Sequence, residues 1–377
     1  MKVLIHGFYG AGNAGDDAIL HVIINQLQSI NKNVEVTVVI RSKQLKPYYG
    51  TANVNYILGL NFEEITKVLK ESSLLIVGGG GLFQDYNESH PENLFHNQEG
   101  ALNYYLAPII LAKMLNVKTM LYGVGIGPLS QEDSLKTMKW IADIVDAITV
   151  RDQDSFQILN SLGITKHVLS ADPALQLRAD CSNKDDIIPK DKRLKIGLNL
   201  RNWSYDKNNE QRFENILIST LNEMTDRLNP RYFIFPFNKL PSEIKKANEL
   251  SQRLKGSVEV LNYNSSPASY KCICGQLDVM IAMRLHASIF SISEGVPSIG
   301  ISYDQKVRQF YEEFGFDQYC LDLSNISRRL FKSLLDKTLK SREQYKSLMP
   351  KKKAEWSSRE KNNQLTLMEL LEGTEGE

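Results

Sequence analysis

Short aliphatic runs, each followed by a helical pattern, recur along most of this chain, and that alternation limits its fold more than any other feature. Runs rich in Val, Ile and Leu stand at 2–6, 34–40, 73–77, 118–122 and 147–150. Helical spacing fills 16–29, 62–71, 100–115, 131–144 and 153–162. Apolar strands separated by helices predict a parallel sheet covered on both faces. A polar, aperiodic stretch at 178–193 reads as a linker, after which a second series begins. Its strands are expected at 194–200, 231–237, 257–261, 279–283 and 298–303, and its helices near 210–228, 241–255 and 286–294. The expected fold is α/β: two Rossmann-like domains, 1–178 and 192–325, facing across a cleft. The Lys- and Glu-rich tail, 326–377, has helical spacing and is expected to pack back on the N-terminal domain. Such domains place a working site at the carboxyl ends of their strands.

The 377 residues are enough for two cores, and 45 Lys and Arg against 44 Asp and Glu leave a net charge of +1. No basic field therefore argues for nucleic acid. No run approaches the ~20 apolar residues of a bilayer span, and MKVLIHGFYG reads as a first strand rather than a secretory leader. Of Cys181, Cys272, Cys274 and Cys320, only Cys272 and Cys274 are close, with no nearby His to complete a zinc site. Reduced thiols in a cytoplasmic protein are the expectation.

Each unusual stretch follows a predicted strand. Gly10, Gly12 and Gly15 match G-x-G-x-x-G, but the second strand ends in Ile40-Arg41-Ser42-Lys43, without the acid that holds a ribose. Asp16 and Asp17 occupy the first helical turn, where they suit the helix dipole but would repel a pyrophosphate. One can cap the helix; the pair can also act as a base or position a hydroxyl. The four glycines of VGGGGLFQD, Gly79 and Gly80 among them, allow a backbone anion cradle or a tight turn, and Asp85 a hydroxyl contact or a cap. YGVGIGP at 122–128 repeats the design. Arg151 and Arg201, just past strands, each offer a planar fork for carboxylate or phosphate, or a surface ion pair. In MIAMRLHASIFSISEGVP, Arg284 and His286 sit at a strand end and Glu294 two helical turns on. An imidazole there suits acid–base chemistry or a phosphate contact.

Seven motifs stand in order: GNAGDDAIL, GGGGLFQD, GVGIGPL, VRD, ADPAL, LRNW and MRLHASIFSISEGVPSIGISYDQKV. Together they resemble the polysaccharide pyruvyltransferases, most nearly the bacterial branch that pyruvylates secondary cell-wall polymers used to anchor surface-layer proteins. The resemblance runs from about residue 3 to 325. It implies a GT-B-like architecture and phosphoenolpyruvate as donor, with a 4,6-ketal on a sugar such as the N-acetylmannosamine of a lipid-linked precursor as product. It carries substrate roles to Arg284, His286 and Arg201. Asn13, Asp16, Asp17, Asp85 and Arg151 fall at other motif positions.

That chemistry asks for a proton on the donor's methylene carbon and at least two fixed cations for its carboxylate and phosphate. Arg201, Arg284 and Lys306 supply the charge, His286 handles the proton, and Asp16 or Asp17 accepts one from the attacking hydroxyl. Phosphoenolpyruvate is a co-substrate; no metal or bound cofactor is required. Lys351, Lys352 and Lys353 suit either a solvated helix face or peripheral contact with an anionic membrane. Two alternatives remain open: a GT-B glycosyltransferase using a nucleotide sugar, in which His286 replaces the first of two ribose-holding acids, and a catalytically silent sugar-binding protein.

Overall fold

The computed structural model describes residues 1–45, 53–59, 61–86, 94, 101–182, 188–203, 205–264 and 266–372. The middle of the expected linker, 183–187, lies outside them. The chain forms two compact units: Met1–Gly12, Asp16–Leu177 and Trp356–Glu377 make the first, Asn13–Gly15 and Arg178–Glu355 the second.

In the first unit β1 (Lys2–His6), β2 (Glu35–Ile40), β3 (Val54–Leu58), β4 (Leu74–Phe83), β5 (Lys118–Ile126), β6 (Ala147–Val150) and β7 (Val168–Leu169) form one sheet. Its order is β3-β2-β1-β4-β5-β6-β7 and every pairing is parallel. Helices α1 (Ala14–Ile30), α2 (Phe62–Glu71), α3 (Ala101–Met114), α4 (Glu132–Ile144) and α5 (Gln153–Ser161) supply the crossovers. Leu4, Leu75, Val77, Leu121 and Ile148 from the strands bury with Ile109, Met138, Ile141 and Leu159 from the helices.

The glycine run does not end the strand. β4 continues through it, pairing Gly78 with Tyr122, Gly80 with Val124 and Gly81 with Gly125. Gly79 and Gly80 take φ of 60° and 80°, and a Cβ on Gly79 would run into Ile19. The glycines therefore let α1 lie directly on β4.

In the second unit β8 (Lys195–Asn199), β9 (Arg231–Ile234), β10 (Ser257–Val260), β11 (Val279–Ala282), β12 (Ser298–Ser302) and β13 (Cys320–Asp322) form a sheet of order β10-β9-β8-β11-β12-β13, again parallel throughout. Around it run α6 (Lys207–Leu228), α7 (Pro241–Arg253), α8 (Pro267–Cys274), α9 (Leu285–Ser293), α10 (Gln305–Glu313) and α11 (Arg328–Lys340). β11 and β12 are buried along their whole length, which accounts for the unbroken apolar sequence of β11 and for the isoleucines of β12, with Ser298 and Ser302 buried at its ends.

Two expectations need correcting. The tail does not pack as one body: α11 and the start of α12 (Arg342–Glu372) belong to the second unit, and only the chain from Trp356 onward belongs to the first. Nor are all four thiols reduced, because Cys181 and Cys272 form a disulfide. The amide of Asp180 donates to the carbonyl of Ala268 (3.1 Å), which lays this stretch along α8. The two Cα atoms come within 5.5 Å despite a sequence separation of 91, a distance that a disulfide spans. Cys274 and Cys320 are free and buried.

Candidate functional site

Three adjacent strands of the second unit, β8, β11 and β12, end side by side, and each turns outward through a polar segment. Arg201 follows β8. Its Nη1 donates to the hydroxyl of Tyr303 (2.7 Å), and its guanidinium lies over the rings of Trp203 and Tyr303. Arg284 follows β11 as the N-cap of α9, with His286 in the first turn. Tyr303 follows β12, and Asp304 caps α10 by accepting from the amide of Lys306 (3.2 Å). The Lys306 ammonium lies 2.9 Å from the carboxylate of Asp304.

The predicted cations thus differ in their surroundings. Arg284 is gripped by Glu243 near the start of α7: Nε donates to both carboxylate oxygens at 3.0 Å and Nη2 donates to Oε2. Lys306 is paired with Asp304. Arg201 is held by a phenol and aromatic faces. Two helices, α9 and α10, begin at the same sheet edge, and helix starts favour anions.

The segment Asn13–Gly15 completes this corner. Asn13 bridges to Asn238 in antiparallel fashion, and the amide of Ala14 donates to the carbonyl of Phe237 (2.9 Å). Asn13 Oδ1 accepts from the amide of Gly15 (3.0 Å), and a Cβ on Gly15 would run into the imidazole of His286. Glu294 is not part of the corner. It sits at the opposite end of α9, about 12 Å along the axis from His286, with its carboxylate 3.6 Å from the buried Lys271 ammonium.

The remaining predicted residues are in the first unit. Asp16 and Asp17 are nearly buried in the first turn of α1. A Cβ on Gly80 would meet Asp16 Oδ1 at 3.0 Å. Burial, helped by Asp17, pushes the phenol of Tyr56 up to about 12; burial and then Asp16 hold Tyr9 well above its ordinary value. Asp85 serves as a cap: Oδ2 accepts from the amides of Ser130 (2.6 Å) and Gln131 (2.8 Å) where α4 begins. Arg151 is buried in an ion-pair cluster, with Nη1 3.0 Å from Asp172 and Nε 3.1 Å from Asp152. Burial opposes its charge, but the two carboxylates outweigh that and raise its pKa.

Sequence reasoning missed Glu243 and Asn199. The side chain of Asn199 accepts from the amide of Arg284 (2.9 Å) and donates to the carbonyl of Phe235 (2.8 Å), tying the ends of β8, β9 and β11 together. An asparagine closing the run Ile196-Gly197-Leu198, fully buried in the fold, is the available signal.

Comparisons with known proteins agree with this layout. Over 98% of this chain and 99% of the other, the structure superposes on UDP-GlcNAc 2-epimerase from Neisseria meningitidis with a TM-score of 0.61 at 12% identity. A UGT transferase from Siraitia grosvenorii gives 0.53 at 13% identity, covering 98% and 100%. The fold is thus α/β of the GT-B-like kind. The amylovoran biosynthesis protein AmsJ of Erwinia amylovora is 20% identical over 378 residues, 86% of this chain and 89% of that one. The model of one family, polysaccharide pyruvyl transferase, matches residues 13–305, a span that begins at the Asn13 segment, includes Arg201, Arg284 and His286 and closes at the start of α10, and the chain belongs to that family.

Proposed function

We propose that this protein transfers the pyruvyl group of phosphoenolpyruvate to two hydroxyls of a sugar, forming a cyclic ketal and releasing phosphate. One observation carries the reading: adjacent strands β8, β11 and β12 bring three cations, an imidazole and two helix starts to one sheet edge. A small donor with a carboxylate and a phosphate matches that set.

In the proposed reaction, protonated His286 delivers its proton to the methylene carbon, leaving C2 electron-poor. The first sugar hydroxyl adds its oxygen to C2 and gives up its proton to water. The bond from C2 to the phosphate oxygen then breaks, and phosphate leaves with both electrons. The second hydroxyl adds to C2 and loses its proton, closing the ketal. Arg201 and Lys306 hold the donor's anionic groups, and Arg284, fixed by Glu243, frames the imidazole.

N-acetylmannosamine in a lipid-linked cell-wall precursor is the proposed acceptor. Ten Lys and Arg against two acids between residues 328 and 353 support contact with an anionic membrane surface, where such an acceptor would lie. The nucleotide-sugar alternative loses support because Glu294 is tied to Lys271 at the far end of α9.

The test is phosphate release from phosphoenolpyruvate with a panel of sugar acceptors, with products weighed by mass spectrometry. Release that depends on acceptor, and a loss of at least about 100-fold in His286→Ala, are expected. Near-normal turnover in that variant, or thermal stabilisation by a UDP-sugar but not by phosphoenolpyruvate, would contradict the reading.

A further inference from the structure

The turn after β8 carries Trp203 and Tyr205, Tyr303 follows β12, and the donor chemistry uses none of the three rings. Trp203 packs against both Tyr205 and Tyr303, with ring centroids 5.0 Å and 4.5 Å away and planes inclined by 55° in both pairs. The Arg201 guanidinium packs on this run, 5.2 Å from the Trp203 ring and 4.9 Å from that of Tyr303. The turn is anchored by its backbone. The amide of Trp203 donates to Glu210 (2.6 Å), which Lys246 also grips, and the amide of Asp206 donates to the carbonyl of Trp203 (3.2 Å). On this fixed base Tyr205 remains 63% exposed. A large ring left open beside other rings at a candidate site marks a contact surface.

Phosphoenolpyruvate has no ring, and its charges call for cations. A pyranose differs: its C–H bonds form apolar faces and its hydroxyls line the rim. Aromatic side chains cover such a face, while the N–H groups of Arg201 and the hydroxyl of Tyr303 can meet rim oxygens. We propose that Trp203, Tyr205 and Tyr303 form a stacking platform for a pyranose ring of the acceptor, beside the residues that hold the donor. Describing that sugar as the acceptor rests on the pyruvyl-transfer reading.

The test uses tryptophan emission in a Trp140→Phe background, titrated with the methyl glycosides of N-acetylmannosamine and galactose without phosphoenolpyruvate. Trp356 is buried, so the response reports Trp203. Saturable quenching by at least one glycoside, lost in Tyr205→Ala, is expected. In turnover assays, Trp203→Ala and Tyr205→Ala should raise the acceptor KM about tenfold or more while the KM for phosphoenolpyruvate moves less than about twofold, and Trp203→Phe should restore binding. No saturation with either glycoside overturns the proposal. So does a matching rise in the phosphoenolpyruvate KM, which would make Trp203 a prop for Arg201 alone. Tyr205 is exposed, so its variant stays informative if Trp203→Ala fails to fold. The titration needs no turnover: glycoside binding without phosphate release would sink pyruvyl transfer and leave the platform standing, whereas turnover with unchanged acceptor KM in both variants would do the reverse.

Discussion

At position 15 the missing side chain is what the site depends on, because the His286 ring occupies the space a Cβ would need. Gly15→Ala is expected to displace the imidazole. Phosphate release should fall about 100-fold, with a stability loss of roughly 1–3 kcal/mol in thermal melts. Glu243 has the opposite character: its presence counts, since it grips Arg284 from a nearly buried position. Glu243→Ala leaves that guanidinium without its carboxylate and should cost about 2–4 kcal/mol in urea unfolding, less than for a fully buried pair because Arg284 keeps some solvent contact. Arg284 and His286 were legible in the sequence because one motif holds both. Glu243 lies 41 residues before its partner in an ordinary helix start, and no local pattern joins the two. Asp85 and Arg151 stand out in the sequence as polar residues past strands; of the alternatives open there, Asp85 is a helix cap, and Arg151 pairs with Asp152 and Asp172 in the interior rather than at the surface.

Among the elements, those with long apolar runs were readable and the short or mixed ones were not. β3 mixes Asn55 and Tyr56 with aliphatic residues and buries only Ile57, while β7 and β13 span two and three residues, too few for any periodicity to show. β4 and β5 extend past their predicted ends because glycine, read as a turn, here continues a strand on which a helix rests. The last part of α12 is fastened to the first unit by side chains that composition could not single out. Arg359 Nε donates to the carbonyl of Ser170 (2.5 Å), Asn363 to that of Ala171 (3.2 Å), and Glu360 accepts from Gln26 (3.2 Å). Burial raises the Glu360 carboxyl to about 7. Its proton is therefore kept on folding where the unfolded chain has released it, so this contribution to stability is greatest below about pH 4.5 and is lost as pH rises through about 7. Glu360→Gln should accordingly gain roughly 2–3 kcal/mol over the wild type above pH 7.5 and nothing near pH 4. Melting temperatures across that range check the sign.

For the whole molecule, strand–helix alternation announced both sheets, while the Cys181–Cys272 bond stayed hidden because the folded chain, not sequence proximity, brings those residues together. Charge is also unevenly spread. Residues 328–353 carry an excess of eight positive charges in a chain whose total is +1. Sedimentation with anionic vesicles at low salt, and release when ionic strength reaches about 0.5 M, is the expected behaviour; equal recovery with neutral vesicles would count against membrane contact. The first unit has one more property with a consequence for biosynthesis. It combines Asp16–Leu177 with Trp356–Glu377, so the ribosome delivers its sheet long before the helix that covers it. During synthesis that nascent half must wait, partly uncovered, until Trp356 and the residues after it have been made. A polypeptide halted at Glu355 should emerge as a substrate for chaperones and proteases rather than as a finished domain.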